Sequence, residues 1–376
     1  MGLKIVSIVG ARPQFIKAAP LTRVLREKMK EIFVHTGQHY DDNMSRIFFT
    51  ELGLTEPDYN LGVGSGTHGY QTGAMLERIE EVLIKEKPNF VLVYGDTNST
   101  LAGALAAVKL HIPIGHIEAG LRSFNRTMPE EINRVLTDRC ASMLFCPTET
   151  AVKNLRKEGI TQGVYLTGDV MYDAALQFGK IAEKRSTILS DLGVIPKTYL
   201  LCTVHRVNST DFYDNLKGIV QALIETEEAV LFSLHPRTKK FLKTYGLIEL
   251  LKNSSNVRLI DPVSYLDMIQ LEKHAKKILT DSGGVQKEAY FYKVPCITLR
   301  EETEWIETVK EGWNILVGTD SKKILQAIET FLPSSNQSTL FGDGHASEKI
   351  VDLVYDYVRS VSEKDQQWKN SSPQSH

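Results

Sequence analysis

The sequence has no excess of charge of one sign. Its 376 residues carry 44 Lys and Arg against 46 Asp and Glu, a formal net charge of −2 at pH 7. No global basic field exists to hold a nucleic-acid backbone or an anionic membrane, so an anionic ligand has to be met by a local pocket. No apolar run approaches the ~20 residues of a bilayer span, and the stretch Lys4 to Val9 is too short for the core of a secretion signal. Cysteine is scarce: Cys140, Cys146, Cys202 and Cys296 form no C-x-x-C pair and sit mostly among apolar neighbours. They read as buried, reduced thiols. A cytoplasmic protein without nucleic-acid or membrane partners is the expectation.

Familiar chemical motifs are missing as well. The turn after the first predicted strand has no G-x-G-x-x-G, which weakens a dinucleotide reading, and no GxxxxGK[ST] or G-x-S-x-G occurs, which argues against P-loop NTPases and serine hydrolases. No H-E-x-x-H occurs either, and acidic and histidine groups fall in separate halves, so no metal is expected.

What is present is an alternation of short Val, Ile and Leu runs with longer segments of helical period, the pattern of βαβ units and parallel sheets. Predicted strands in the first half are Lys4 to Val9, Ile32 to His35, Phe90 to Tyr94, Ile114 to Ile117, Met143 to Cys146 and Val164 to Leu166. In the second they are Tyr199 to Val204, Val230 to Leu234, Val257 to Ile260, Lys277 to Leu279, Cys296 to Leu299 and Ile315 to Val317. Amphipathic segments include Thr72 to Lys87 and Leu101 to Leu110. The fold class is α/β, with two doubly wound halves joined between about Gly168 and Pro196. Ala346 to Val361 reads as a closing helix, and Ser362 to His376 as a frayed tail with little to bury.

In open α/β sheets ligands bind beyond the carboxyl ends of the strands, so the polar turns there are the place to look. After strand one, Arg12 and Lys17 flank a helix start, where free N–H groups and the helix dipole add to their charge; a diphosphate fits, as does a plain solvated helix start. Thr280-Asp281-Ser282-Gly283-Gly284 opens another helix. Its glycines let amides approach phosphate oxygens, Ser282 adds a hydroxyl, and Glu288 further along could accept from two ribose hydroxyls. Carboxylates crowd the strand ends of the first half: Asp96, Glu118, Glu130 and Glu131. Crowding would raise some pKa values and let one group act as acid while another stays a base. Asp96 could equally be a helix N-cap, and Glu130 or Glu131 a partner of a helix dipole. His205 with Arg206, and His235, end successive strands of the second half and could donate to a phosphate or move a proton.

These pieces resemble the non-hydrolysing UDP-N-acetylglucosamine 2-epimerases over about residues 4 to 360. The matching stretches are Gly10-Ala11-Arg12-Pro13-Gln14-Phe15-Ile16-Lys17, Thr36-Gly37-Gln38-His39, Gly95 to Thr100, His116 to Arg122, Pro129 to Arg134, His205-Arg206, Thr280 to Gly284 and Phe341-Gly342-Asp343-Gly344. The resemblance implies two Rossmann-like domains facing a cleft, as in glycosyltransferase-B enzymes, with residues 1–170 and 346–376 in one and 171–345 in the other. It implies Asp96, Glu118, Glu130 and His205 as catalytic positions. Arg12, Ser282 and Gly283 would be phosphate ligands, with Gly284 beside them and Glu288 on the ribose; Lys17 and His235 complete the expected UDP-sugar site. It also implies a homodimer, no cofactor, and elimination of UDP to a 2-acetamidoglucal followed by re-addition.

Two departures bear on the sugar. Tyr40-Asp41-Asp42-Asn43-Met44 replaces the Arg-Glu-Met associated with a second, regulatory substrate site, and Trp305 stands where commoner members have Arg-Pro. Both resemble the branch acting on UDP-2,3-diacetamido-glucuronic acid, for which Arg206, Arg237 or Arg300 could supply an extra cation; Asn208 and Ser209 differ from that branch. The rival classes are a retaining glycosyltransferase of the same fold, a hydrolysing relative and a silent UDP-sugar-binding protein.

Overall fold

The computed structural model describes residues 3–37, 49, 51–333 and 336–371, with side chains described to Glu363. The chain divides into two compact units, Met1–Ala174 with Leu340–His376, and Ala175–Thr339. The first contains β1 (Lys4–Val9), β2 (Lys30–His35), β3 (Tyr59–Asn60), β4 (Phe90–Tyr94), β5 (Ile114–Ile117), β6 (Met143–Cys146) and β7 (Val164–Leu166). The second contains β8 (Tyr199–Val204), β9 (Ala229–Leu234), β10 (Val257–Ile260), β11 (Lys277–Thr280), β12 (Cys296–Thr298) and β13 (Asn314–Leu316).

The first sheet runs β3-β2-β1-β4-β5-β6-β7 and the second β10-β9-β8-β11-β12-β13. The ladders are parallel, with Val6 opposite Ile32 and Ile5 opposite Phe90 in one sheet, and Leu201 opposite Leu231 and Ile278 in the other. Helices cover both faces, which is why the strands are continuous apolar runs: every residue of β4 is fully buried. Strand order reverses between β1 and β4 and again between β8 and β11. Neighbouring crossovers leave in opposite directions there, opening a crevice above the strand ends. The turns following β1 and β4, and those following β8 and β11, are therefore the site-bearing turns of each unit.

Two elements differ from the sequence reading. The edge strand β3, held by Val34 and His35, is two residues long and carries no periodicity to read. The closing helix continues from Ala346 past Val361 to Ser371. Glu363, Lys364, Gln366 and Gln367 are strong helix formers, and a helix already nucleated propagates through them without needing buried partners. Asp173 accepts from the amides of Ala346 (3.2 Å) and Ser347 (2.6 Å) at the start of that helix.

The motif Phe341 to Gly344 is architectural: Asp169 N donates to Phe341 O at 2.9 Å, and a Cβ on Gly342 would lie 3.0 Å from the Gly168 Cα. Gly64-Ser65-Gly66-Thr67-His68-Gly69 has dinucleotide-loop spacing. It follows edge strand β3, however, and not β1 at the switch point. Gln38, His39 and Tyr40 to Met44 lie outside the described residues. No helix among the described residues is long and apolar enough to cross a membrane.

Candidate active site

In the first unit the turns after β1 and β4 are tied by one buried amide. Gln14 Oε1 accepts from the N–H groups of Gly10 (2.7 Å) and Ala11 (3.0 Å), while its Nε2 donates to Tyr94 O (2.6 Å) and Thr100 Oγ1 (3.0 Å). This sets the start of the helix Arg12–Lys28, with half-buried Arg12 as its first residue, beside the turn that carries Asp96.

The carboxylates are separated by cations. Asp96 pairs with the buried Arg134 guanidinium, whose other arm meets Glu131 Oε2 at 2.7 Å. Glu118, 8% exposed, pairs with the Lys17 ammonium, itself 7% exposed. Lys17 is thus engaged with a carboxylate beneath the turn: a Cβ on Gly95 would stand 3.1 Å from Lys17 Nζ and 3.3 Å from Glu118 Oε2. Like charges that would repel in one crevice become an alternating array. Thr97, and not Asp96, caps the helix Asn98–Lys109. Glu118 has φ +72°, a left-handed conformation costly for a side chain with a Cβ and concentrated at functional sites.

The two glutamates of the Pro129–Cys140 helix are unlike. Glu131 is buried and accepts from Ser123 N (2.9 Å), Ser123 Oγ (2.9 Å) and Phe124 N (3.0 Å), so it organises a loop. Glu130 is half-buried and has no hydrogen-bond or ion-pair partner among the described residues, which leaves its carboxylate available.

In the second unit a buried carboxylate that sequence reasoning passed over orders the crevice. Asp281, fully buried, accepts from His205 N (3.1 and 3.0 Å) and Arg206 N (2.9 Å), fixing the turn after β8 against that after β11. Its only sequence signal is its place before Ser282-Gly283. The His205 ring lies 5.4 Å from that of His235 and 3.5 Å from Asp281. Burial pushes the His205 pKa below its ordinary value, the positive charges of Arg206 and Arg237 act the same way, and Asp281 opposes them. The neutral ring therefore predominates above pH ~6.5. His235 Nδ1 accepts from Arg237 N at 3.2 Å, capping its own helix.

Ser282 is the N-cap of the helix Gly283–Phe291, so the amides of Gly283 and Gly284 open that helix as a ready anion cradle. Glu288 sits a turn and a half along, 6% exposed, and accepts from Tyr265 Oη at 3.0 Å. Tyr265 was not singled out by sequence. Because that bond orients a nearly buried carboxylate, Tyr265→Phe is expected to weaken UDP binding by roughly tenfold and leave kcat little changed. Titration calorimetry with UDP checks this.

A family model described as UDP-N-acetylglucosamine 2-epimerase matches residues 23–355. The chain belongs to the UDP-N-acetylglucosamine 2-epimerase family. A UDP-N-acetylglucosamine 2-epimerase homolog of Methanococcus maripaludis is 59% identical over 354 residues, 94% of this chain and 99% of the relative. A UDP-2,3-diacetamido-2,3-dideoxy-D-glucuronate 2-epimerase of Pseudomonas aeruginosa is 50% identical, again over 94% of this chain and 99% of the relative. The crystal structure of the Methanocaldococcus jannaschii UDP-GlcNAc 2-epimerase in complex with UDP-GlcNAc and UDP matches with a TM-score of 0.87 at 50% identity, covering 94% of this chain and 99% of that one. Epimerases are isomerases, so the family places this chain among enzymes that rearrange their substrate without net redox change.

Proposed function

We propose that the chain is a non-hydrolysing 2-epimerase interconverting UDP-GlcNAc and UDP-ManNAc. The observation that carries this reading is the array at the first unit's switch point, where Asp96 and the Lys17–Glu118 pair gather around the Gly95 turn. The nucleotide contacts come from the second unit. The amides of Gly283 and Gly284 with Ser282 take the diphosphate, and Glu288 takes the ribose.

The chemistry follows from the C2 proton, which has no carbonyl beside it. It becomes acidic only as the C1–O bond to UDP breaks and positive charge builds on the ring. One carboxylate of Asp96, Glu118 and Glu130 takes that proton, the C1–O electron pair leaves with UDP, and a C1=C2 double bond forms. UDP oxygen then adds back to C1, and a proton is delivered to the opposite face of C2. Neutral His205 stands near the departing diphosphate as a donor. Lys17 serves the array by holding Glu118, while His235 backs His205 by ring contact.

A second reading, a 2,3-diacetamido uronate as substrate, draws support from the Pseudomonas aeruginosa relative. The charge balance favours the neutral sugar. Arg237 is matched by Asp211, Arg300 by Glu304 at 3.1 Å, and Arg206 faces the same Glu304 at 3.6 Å. Family resemblance further supports a cytoplasmic homodimer supplying polysaccharide biosynthesis.

Incubating the protein in heavy water with each of the two UDP-sugars, and following the products by proton NMR, separates these readings. Deuterium at C2 of an intact manno nucleotide from UDP-GlcNAc is the expected result. Exchange with the uronate alone moves the assignment to the second reading, free sugar indicates hydrolysis, and no change with either points to a transferase or binding protein.

A further inference from the structure

Beneath the Asp96 turn lies a fully buried histidine that the mechanism above does not use. His116, on β5, is 0% exposed; its Nε2 lies 2.7 Å from Gly95 O and its Nδ1 2.7 Å from Asp138 Oδ1. A carbonyl oxygen only accepts, so Nε2 carries a proton. Asp138 is also an acceptor on its far side, where Oδ2 faces Arg122 Nη1 at 2.7 Å and accepts from Gly120 N at 3.2 Å. Asp138 thus serves as an acceptor on both sides, and Nδ1 donates to it.

We propose that His116 is held as the imidazolium and acts as the positioning residue for the Asp96 turn, an inference that rests on the epimerase reading only for its effect on rate. The chain of alternating charge runs Glu158, Arg122, Asp138, His116, with Arg122 Nε 2.6 Å from Glu158 Oε1, and ends on the Gly95 carbonyl. Gly95 N donates to Ile117 O at 3.0 Å. The peptide units on both sides of that glycine are therefore clamped to β5. The residues clamped with it are Asp96 directly and, under the turn, Lys17 and Glu118. Cys146 on β6, which senses the Asp138 charge, has its thiol pushed up by burial and by that charge, and stays neutral. The arrangement needs a two-sided cation, which Lys cannot present in plane and Arg is too long to fit.

The first test is independent of turnover. Imidazole nitrogen spectra of the full-length protein at about pH 8, well above the ordinary histidine value, are assigned by comparison with His116→Gln. Both His116 nitrogens should show the protonated signature; one unprotonated nitrogen overturns the proposal. The second test is kinetic. His116→Leu should lower kcat for C2 exchange by roughly 10- to 100-fold through misplacement of the turn, with KM and UDP affinity within about twofold because the nucleotide contacts are elsewhere. His116→Gln, whose amide can donate to Gly95 O, should recover part of that loss. Equal rates in wild type and both variants would refute the positioning role. If the wild-type protein exchanges neither UDP-sugar, the functional reading fails while the nitrogen spectra still decide the state of His116.

Discussion

Glu118→Gln is expected to lower deuterium exchange at C2 by about 10²- to 10⁴-fold, the range that one general acid or base contributes, with UDP affinity unchanged within about twofold. The substitution keeps size and hydrogen-bonding reach, so the amide oxygen can still accept from Lys17. In the proposed mechanism, what it removes is the capacity to take up and return a proton, together with a negative charge that would stabilise a cationic ring. The residue also sits at φ +72° with its side chain 7% exposed, so the backbone holds the carboxylate at one place under the Gly95 turn. Glutamine meets the same backbone strain as glutamate, which confines the change to charge. Asp96→Asn and Glu130→Gln should behave alike in exchange. Weakened UDP binding with normal exchange in any of the three would remove that residue from the chemistry.

The second large effect is structural. Gly10→Ala should lower the melting temperature of the first unit by roughly 3 to 10 °C, from ~1–3 kcal/mol of overpacking in a unit of this size. An added methyl would sit 2.0 Å from Ser99 Oγ and 2.2 Å from Thr36 Oγ1. Those hydroxyls are fully buried and bonded to each other at 2.8 Å. Short buried side chains cannot swing clear, so the β1 turn itself must shift. That displaces the Gln14 bridge and Arg12, and exchange should fall with stability. Differential scanning calorimetry beside the exchange assay checks both; an unchanged transition would mean that the turn has slack that the geometry denies.

Much of the fold was legible because parallel strands covered on both faces are written as unbroken apolar runs. Lys4–Val9, Phe90–Tyr94 and Tyr199–Val204 coincide with their predicted strands for that reason. The edge strand β3 was not legible, since two residues held by one neighbour leave no pattern. In the candidate site, Asp96, Glu118, Glu130, His205 and Ser282 could be named because they close strands or open helices in polar turns, and Glu288 because of its offset from the Ser282-Gly283 turn. Gln14, His116, Asp138, Asp281 and Tyr265 could not. Each acts through a partner distant in sequence, and its neighbours along the chain carry no sign of whom it meets.

Composition, the alternation of elements and the residues at strand ends by themselves determined an α/β chain with two doubly wound halves and a short list of groups fit for proton and phosphate chemistry. Only tertiary structure decided which charges neutralise one another: Lys17 with Glu118, Arg134 with Asp96 and Glu131, and Asp138 with Arg122. The reason is that periodicity reports which face of an element is buried, whereas the energy of a buried charge depends on a partner within a few ångströms, and that partner is chosen by strand order and crossover, not by spacing along the chain.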